Sequence, residues 1–450
     1  MPFHLGKPIL VLAAVALVTG AAVSIRPEQQ KADLTLWVFA ESHYQIYRRL
    51  LPNFEAENHV KVNLNLLNAR GETIRLGQLF MADLDNPELP DLAEMEISLV
   101  GRYFRPPVNE VGFLPLNGYV QENNYDERLV KQRLAPWSKE GVIFGMPHDV
   151  HPCTITYRHD LFTEAGIDLP AARTWPQFQD ACVKFERYWR SKGFSTRHAL
   201  EMSESSSENF QAMLLQRGIN PIDMYGNVYV DSDPRVAQTL AFYGQLVAGP
   251  RKCTAQTSQG WGPFSKDVTD GNLCAFLTPD WRIIYIKQYG PTLAGKMRMM
   301  PLPVFDPSDA PTSTLGGTMM GITRKCKHPD LAWKMLQYLY YSKDAQAADP
   351  EILPPLKERW TDPFYHQPDP YFGGQKAQEL FTQLAPMIPR RYVTPASGIA
   401  NMALNEAVAR AVRYVEEHGA DAGLEPACRQ WCAEIAEDLR ARMKQWRIDS

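Results

Sequence analysis

Two hydrophobic patterns follow one another directly at the start of the chain. Apolar and polar positions alternate over residues 34–39 and again over residues 60–66, which is the two-residue period of a β-strand. Between them, apolar side chains recur every three or four positions, as on one face of a helix: Tyr44, Tyr47, Leu50, Leu51 and Phe54. The pattern predicts a βαβ unit with parallel strands and a right-handed crossover.

The same two periods continue along the chain and predict an α/β fold. A helix over residues 72–83 precedes a short strand over residues 90–95. Further helices are predicted over residues 175–192, 208–217, 234–248, 330–341, 398–417 and 426–446. Residues 145–152 and 301–317 are rich in proline and glycine, which is typical of a chain that changes direction at fixed angles. We interpret these two stretches as crossings between two lobes.

The first residues carry an export signature. Residues 8–25 form an apolar run without a charge, and Arg26 follows it. Such a run is a secretory signal or an uncleaved anchor, and its length is at the short end for a spanning helix, which favours a cleaved signal. Residues 1–32 are therefore predicted to be a signal peptide or N-terminal anchor with a short linker. The protein is expected in the periplasm or another extracytoplasmic compartment, with tethering by an uncleaved segment left open.

Length and composition limit the class of protein. A chain of 450 residues is long enough for two domains or lobes. Its hydrophobic fraction of 45% and charged fraction of 22% are ordinary for a globular protein. The formal net charge of -4 gives no reason to expect nucleic acid as a partner, because nucleic-acid-binding proteins present basic patches.

The chain contains seven cysteines, and none of them forms a C-x-x-C pair. Neither a zinc site nor a thioredoxin-like motif is therefore indicated. Cys428 and Cys432 share a face of the last predicted helix with Trp431 and Ile435, so we expect them in the core. An exported chain could form one disulfide, whose pairing the sequence leaves open.

The centre of the chain carries motifs of a known family. Gly-x-Ile-Phe-Gly-Met-Pro at 141–147 is followed by Tyr-x-x-Asp-Leu-Phe-x-Glu-Ala-Gly-Ile at 157–167 and Thr-Trp-x-x-Phe at 174–178. Pro90-Asp91-Leu92 precedes them, and Asp280-Trp281 follows. In order and spacing these motifs resemble those of the extracellular solute-binding proteins of family 1, the sugar-type receptors of ABC importers, with maltose-binding protein as a distant relative. The resemblance covers about residues 33–446.

The resemblance implies a two-lobe fold of the periplasmic-binding-protein type II kind, with a ligand cleft between discontinuous lobes. The N-terminal lobe would comprise residues 33–147 and a return segment, 309–357. The C-terminal lobe would comprise residues 148–308 and the helices of 358–450. Closure about a hinge at Gly145-Met146-Pro147 would trap a small solute, with a carbohydrate as the expected ligand. The expected partners are the permease subunits of an ABC importer, and the receptor is expected to be a monomer.

Ligand contacts in such a fold come from the loops at the carboxyl ends of strands and at the crossings. The polar residues at those positions are Glu41, Ser42, His43, Glu94, Glu96, Asp149, His151 and Thr318. Carboxylates accept paired hydrogen bonds from sugar hydroxyls, and aromatic faces cover the C–H surfaces of a sugar ring. Trp281 is the predicted aromatic contact, because the resemblance places its motif at the cleft wall.

The first crossing also contains residues of the kinds that bind metals. His148, His151 and Cys153 are close in sequence, but an extended chain places the two histidines on opposite faces. Pro147 and Pro152 exclude a helix that would align them. We therefore predict neither a metal nor a cofactor.

An enzyme is the alternative from another class. Glu94 and Glu96 lie two apart on a strand, which is not the flanking arrangement that glycoside hydrolysis requires. The sequence contains no G-x-S-x-G element, P-loop or dinucleotide-binding glycine motif. The protein is predicted not to be an enzyme. An exported carbohydrate-active hydrolase, or a ligand-sensing receptor without transport, stays open as an alternative, and the sequence leaves the ligand and importer unidentified.

Overall fold

A computed structural model describes residues 32–82, 86–256 and 260–445. Within them the chain forms two lobes, each built around its own β-sheet. The apolar run predicted to direct export lies outside the described residues. The strands are β1 (Leu34–Val38), β2 (Val62–Leu66), β3 (Leu92–Glu96), β4 (Ser138–Lys139), β5 (Val142–Ile143), β6 (Met146–Pro147), β7 (Thr154–Arg158), β8 (Leu200–Glu201), β9 (Thr254–Ala255), β10 (Ala275–Thr278), β11 (Met297–Pro301) and β12 (Thr318–Ile322).

Helices cover most of the remaining chain. They are α1 (Glu41–Asn58), α2 (Ala69–Ala82), α3 (Ile97–Val100), α4 (Asn117–Glu122), α5 (Tyr125–Arg128), α6 (His159–Glu164), α7 (Trp175–Ser191), α8 (Glu208–Gln216), α9 (Pro234–Val247), α10 (Trp261–Asp270), α11 (Asp280–Tyr289), α12 (Pro329–Tyr341), α13 (Lys343–Ala348), α14 (Ala377–Leu384), α15 (Ser397–His418) and α16 (Leu424–Gln445). None of the helices in the described ranges is both long and apolar enough to cross a lipid bilayer.

The N-terminal lobe contains a five-stranded sheet in the order β2-β1-β3-β12-β6. Strand β1 pairs in parallel with β2 and β3, which confirms the βαβ unit predicted from the hydrophobic periods. Strand β12 runs antiparallel between β3 and β6, so the chain returns to this sheet long after it has left it. Helices α1 and α12 cover one face, where Tyr47, Phe54 and Leu336 are buried together.

The C-terminal lobe is built on a smaller antiparallel sheet in the order β10-β7-β11. One face packs against α7, α9, α15 and α16, and the other against α10, α11 and α14. Helix α7 begins at a capping box, in which Thr174 accepts from the Gln177 backbone and Gln177 reaches back to the Thr174 backbone. Cys428 and Cys432 are buried in the first of these cores, as predicted.

Three segments of chain pass between the lobes. The first is 148–153 and the second is 312–318, and they lie side by side through the bridge between Pro152 and Thr314. The third is 349–356, where Val150 N donates to Leu353 O at 3.1 Å. Together these segments form what we call the hinge. The segment boundaries given above for the two lobes stay a prediction.

Gly145 has a different role from the predicted one. Residues Met146–Pro147 form a strand of the N-terminal sheet, and a Cβ added at Gly145 would collide with the side chain of Met319. Gly145 therefore permits close packing inside the lobe. Left-handed backbone occurs instead within the hinge, at His151 with φ 54° and at Gly316 with φ 81°. The position of the hinge about Gly145-Met146-Pro147 stays a prediction.

Candidate functional site

A cavity of about 360 Å³ opens between the two lobes. The N-terminal lobe contributes the end of β3 and the start of α3, the hinge contributes Gly316, and the C-terminal lobe contributes α8 and α15. Its polar lining residues are Glu96, Ser98, Ser206, Ser207, Glu208, Gln211, Asn220, Thr314, Arg391, Tyr392, Ser397, Asn401 and Asn405. A cavity with walls from both lobes is where hinge closure would enclose a solute.

The N-terminal wall is formed where β3 runs into α3. The Glu96 carboxylate accepts from Ser98 N at 3.0 Å, so it caps the helix and is held in one orientation. Burial raises the pKa of Glu96 above its ordinary value. One carboxylate is thus positioned at the cavity with lone pairs left over for hydroxyl donors.

The C-terminal wall is a hydrogen-bonded layer between the loop before α8 and α15. Asn405 Oδ1 accepts from Ser207 N at 2.8 Å and from Ser207 Oγ at 2.7 Å, and Gln211 Nε2 donates to Ser207 Oγ at 2.8 Å. These bonds fix the side chains and leave the Asn405 amide group free to donate. Asn401, one turn away on α15, has no side-chain hydrogen bond within the described part of the chain.

Arg391 is the positive charge of the cavity. It lies near Glu96 of the N-terminal lobe and Glu208 of the C-terminal lobe, yet forms no ion pair within the described residues. Burial lowers the pKa of its guanidinium, and the attraction of Glu96 only partly opposes this. The backbone around it is held by Asn220, which accepts from Tyr392 N and donates to Arg390 O. The backbone on either side of Arg391 is therefore held in place, while its guanidinium has no ion-pair partner among the described residues.

Trp281 borders this cavity. Its Nε1 donates to Leu315 O at 3.1 Å, beside Gly316 on the cavity wall. Its ring packs edge-on against Trp261, which stacks on Tyr285 at 4.4 Å between ring centroids. The half-buried indole thus ends an aromatic layer that belongs to the C-terminal lobe.

Behind the cavity, four buried charges form what we call the hinge cluster: Arg133, Asp149, His151 and Asp280. Arg133 Nη2 donates to Asp149 Oδ1 at 2.6 Å, and His151 Nε2 lies 3.1 Å from Asp149 Oδ2. His151 Nδ1 contacts Asp280 Oδ1. Two cations face two carboxylates, so the cluster is neutral as a whole.

The hinge cluster ties all three crossing segments together. Asp149 Oδ2 accepts from Thr318 N at 3.0 Å, and Arg133 Nη1 donates to Thr314 Oγ1 at 3.2 Å. Asp280 Oδ2 accepts from Leu353 N at 2.7 Å. Because both ring nitrogens of His151 face carboxylates, both must donate, and the ring must be the imidazolium.

The pKa values follow from this geometry. Burial opposes the charge of His151, yet Asp149 and Asp280 raise its pKa to about 9. Burial alone would raise the pKa of Asp149, but His151, His148 and Arg133 hold it well below its ordinary value. His151 and Asp149 are therefore both charged at neutral pH.

A second buried hydrogen-bonded cluster, centred on the Glu94 carboxylate, lies in the N-terminal lobe. The Glu94 carboxylate is fully buried and accepts from Tyr47 Oη at 2.6 Å and Tyr340 Oη at 2.8 Å, with His43 Nδ1 at 3.0 Å. Burial opposes ionisation of His43, but Glu94 raises its pKa. These bonds join α1 and α12 to the end of β3.

The nine residues predicted from the sequence to contact the ligand fall into three groups in the structure. Glu96 lines the cavity and Trp281 borders it. Five side chains are buried and engaged by other protein groups or packed beside the hinge: His43, Glu94, Asp149, His151 and Thr318. Glu41 lies on the α1 surface and accepts from Gln45, while Ser42 lies near Tyr285 of the other lobe. For the five buried residues we now favour a structural role, because their hydrogen-bonding groups face the protein.

Sequence reasoning missed most of the cavity wall. Arg391, Asn401 and Asn405 come after the family motifs, in a region assigned only to helices. One signal was available: Asn401 and Asn405 are polar residues four apart, so they share a face of a helix that is otherwise rich in alanine and valine. No group of three or more His, Cys, Asp or Glu that could hold a metal occurs in the described residues.

Comparison with known proteins places the chain among binding proteins. The model of the family described as bacterial extracellular solute-binding protein matches residues 50–367. The arabinooligosaccharide-binding protein of Halalkalibacterium halodurans is 24% identical over 354 residues, 76% of this chain and 75% of that protein. The lactose-binding protein of Rhizobium radiobacter is 20% identical over 392 residues, 85% of this chain and 88% of that protein.

Solved structures share the two-lobe fold. The sugar-binding protein MalE of Xanthomonas citri superposes with a TM-score of 0.72 at 18% identity, over 93% of this chain and 100% of that one. The ABC transporter-associated binding protein of B. animalis subsp. lactis, solved with beta-1,6-galactobiose, gives a TM-score of 0.69 at 19% identity, over 91% and 98% of the two chains. At this level of identity the likeness concerns the fold.

Proposed function

Because the chain belongs to the family of bacterial extracellular solute-binding proteins, we propose that it captures a saccharide in the cavity between its lobes and delivers it to an ABC importer. Relatives named for arabinooligosaccharide and lactose binding support a sugar ligand. Binding leaves the sugar chemically unchanged, and a recovered ligand of unaltered mass tests this.

The composition of the cavity wall carries the proposal. Arg391 and the Asn401 amide have donors without a protein partner in the described residues, and Glu96 and Glu208 supply carboxylate acceptors. Donors and acceptors that the protein leaves unused on a cavity wall are available to a ligand. A polyhydroxylated ligand matches this mixture, because each hydroxyl both donates and accepts.

Closure about the hinge would complete the site. Glu96 and Ser98 come from one lobe, Gln211 and Asn401 from the other. A ligand that contacts both sets binds the closed state more tightly than the open one, which is the differential affinity that closure requires. We propose that the closed, loaded form is the one that docks on the importer, as a monomer in an extracytoplasmic compartment.

The test is a calorimetric titration with arabino-oligosaccharides, lactose and galactobiose. Arg391→Ala is expected to weaken binding of the best ligand about 10- to 100-fold, the range for a lost hydrogen bond from a charged group. Arg390→Ala is the matched control, because Arg390 lines a separate cavity of about 170 Å³ with Phe104 and Met443.

Two results would overturn the proposal. One is the absence of heat or of stabilisation with every saccharide in the panel, while the protein is folded. The other is equal loss of affinity in both arginine variants, since that would place the ligand outside the cavity. Small-angle scattering adds the closure test: the radius of gyration falls on saturation if the lobes close.

A further inference from the structure

One segment of the C-terminal lobe, residues 390–396, extends to the N-terminal lobe and packs against it. Both of its ends are fixed to the C-terminal lobe. Asn220 Nδ2 donates to Arg390 O at 3.0 Å, and Asn220 Oδ1 accepts from Tyr392 N at 2.9 Å. Ala396, at the other end, is buried in the core that contains α15. We call residues 390–396 the cross-lobe segment.

The middle of the cross-lobe segment is buried in the N-terminal lobe. Val393 belongs to an apolar cluster whose other members all come from that lobe, among them Val100 and Phe104. Arg391, two residues earlier, lines the cavity between the lobes. One short stretch of chain therefore forms a contact between the lobes and also part of the wall of the ligand cavity.

The contact depends on a residue that has no side chain. Gly101 directly follows α3 with φ -53° and ψ -32°, a helical conformation that alanine adopts at least as readily. A Cβ at residue 101 would nevertheless collide with Thr394 O, and its next nearest neighbours would be Thr394 C and Val393 Cγ1. A backbone oxygen cannot rotate out of the way as a side chain can. Glycine is therefore needed at this position for the approach of the other lobe, and the conformation of residue 101 itself does not require it.

The same contact buries one polar group without a partner. Thr394 is buried, and its Oγ1 has no hydrogen-bond partner within the described part of the chain. Its backbone N, in contrast, donates to Ser397 Oγ at 2.9 Å. A buried hydroxyl without a partner disfavours the conformation that buries it, because water would hydrogen-bond with it in the open protein. The contact is therefore weaker than it would be with an apolar side chain of the same shape.

We propose that the packing of the cross-lobe segment on Gly101 is a latch, which forms as the lobes close and sets the ratio of closed to open protein. The inference rests on the proposed function, because that ratio matters for a ligand enclosed between the lobes. Neither Gly101 nor Thr394 lines the cavity, so both are positioning residues that act through the closed state. A ligand that requires the closed state binds in proportion to the population of that state.

The first test is Gly101→Ala in the full chain. Small-angle scattering of the ligand-free protein should give a larger radius of gyration than wild type, because the added methyl group collides with the other lobe. Affinity for the saccharide that binds wild type best, among arabino-oligosaccharides, lactose and galactobiose, should fall about tenfold if the closed population falls tenfold. The melting temperature should change little, since the nearest atoms to the new methyl group all belong to the cross-lobe segment.

The matched control is Gly118→Ala, on helix α4 of the same lobe. A Cβ at residue 118 has no heavy atom within 4 Å, so this variant should keep the radius of gyration and the affinity of wild type.

Thr394→Val is expected to act in the opposite direction. It removes the unpaired hydroxyl and keeps the shape of the side chain, so it should favour the closed state. The radius of gyration of the ligand-free protein should fall, and affinity for the same saccharide should rise severalfold. In the double variant Gly101→Ala/Thr394→Val this gain should disappear, because the contact that buries residue 394 no longer forms.

The outcomes separate the latch from the proposed function. A Gly101→Ala protein with the radius of gyration of wild type overturns the latch, and if it also melts far below wild type, the cross-lobe segment is a permanent part of the N-terminal core. Equal saccharide affinity in wild type, Gly101→Ala and Thr394→Val refutes the latch and leaves the proposed function intact. If no saccharide binds but the two variants shift the radius of gyration in opposite directions, the latch stands and the saccharide proposal is refuted.

Discussion

The cleft cavity and the hinge cluster lie next to each other but differ in whether their charged side chains have ion-pair partners. Thr314 connects the two, since it lines the cavity and accepts from Arg133 of the hinge cluster. In the hinge cluster each charge has an opposite partner and further hydrogen bonds. In the cavity, Arg391 lies near two carboxylates and forms an ion pair with neither, within the described residues.

This difference shows how the role of a polar side chain can be inferred from the hydrogen-bond partners that the protein gives it. A charge whose hydrogen-bonding capacity is used up by the protein fixes the geometry of the chain, and removing its partner leaves an uncompensated ion. A charge that is held in place but left unpaired costs stability unless a ligand completes it. The hinge cluster should therefore respond to mutation through stability, and the cavity through affinity.

The largest effect is expected at Asp149. Asp149→Ala removes the carboxylate that faces both Arg133 and His151, so Arg133 loses its partner and His151 keeps only Asp280. The free energy of unfolding should fall by about 3 to 5 kcal/mol, as for other buried pairs broken on one side. Denaturant unfolding of the ligand-free protein measures this.

The control is Glu41→Ala, on the surface of α1, which should change stability by less than about 0.5 kcal/mol. If Asp149→Ala instead leaves unfolding unchanged and abolishes ligand binding, Asp149 belongs to the site, as the sequence suggested. The contrast between the two regions would then be wrong.

The next effect concerns pH. The pKa of His151 is raised to about 9, so the stability it contributes is fully present below its unfolded pKa near 6.5. That stability is lost as pH rises through about 9. From the size of the shift we expect a loss of about 3 kcal/mol across this window. Stability should fall on the alkaline side in wild type and do so less in His151→Gln.

Denaturant curves between pH 6 and 10 provide the measurement, and binding at saturating ligand should vary less. The charged and titratable groups that face His151 or its partner Asp149 are Arg133, Asp280 and His148. An alkaline slope that is identical in wild type and His151→Gln would show that the imidazolium is not the group responsible.

The sequence was sufficient for the fold for a definite physical reason. The periods of residues 34–66 specify strand, helix and strand, and parallel pairing of β1 and β2 follows from the connection between them. The proline- and glycine-rich stretches 145–152 and 301–317 overlap two of the three hinge segments. Local chemistry decides these features, so a single sequence reveals them.

The residues that line the cavity could be predicted only in part, because tertiary packing decides whether a side chain reaches the cavity or is buried behind it. Glu94 and Glu96 lie two apart at the end of one strand, yet Glu94 meets Tyr47 and Tyr340 from two helices while Glu96 reaches the cavity. No pattern within β3 distinguishes them. Arg391 joins the wall through a long loop whose position depends on Asn220, far away in sequence.

The smallest effect is expected at Trp281, which touches both regions. Its backbone N donates to Asp280 of the hinge cluster at 2.9 Å, while its indole borders the cavity. Trp281→Ala removes the ring but keeps the backbone bond, so we expect affinity for the best saccharide to fall by about 1 to 2 kcal/mol, roughly tenfold, if the ring face stacks on the sugar. Melting of the ligand-free protein should change little.

Trp281→Phe decides which property of the indole matters. Phenylalanine keeps an aromatic face but loses the Nε1 donor to Leu315 O. If the face contacts the sugar, Trp281→Phe retains most of the affinity, and calorimetry separates it from Trp281→Ala. If both variants keep full affinity and melt far below wild type, the ring belongs to the core that supports the hinge. In that case the boundary between the two regions lies on the cavity side of Trp281. The aromatic contact must then be sought elsewhere on the cavity wall, and Tyr392 is the next residue to test.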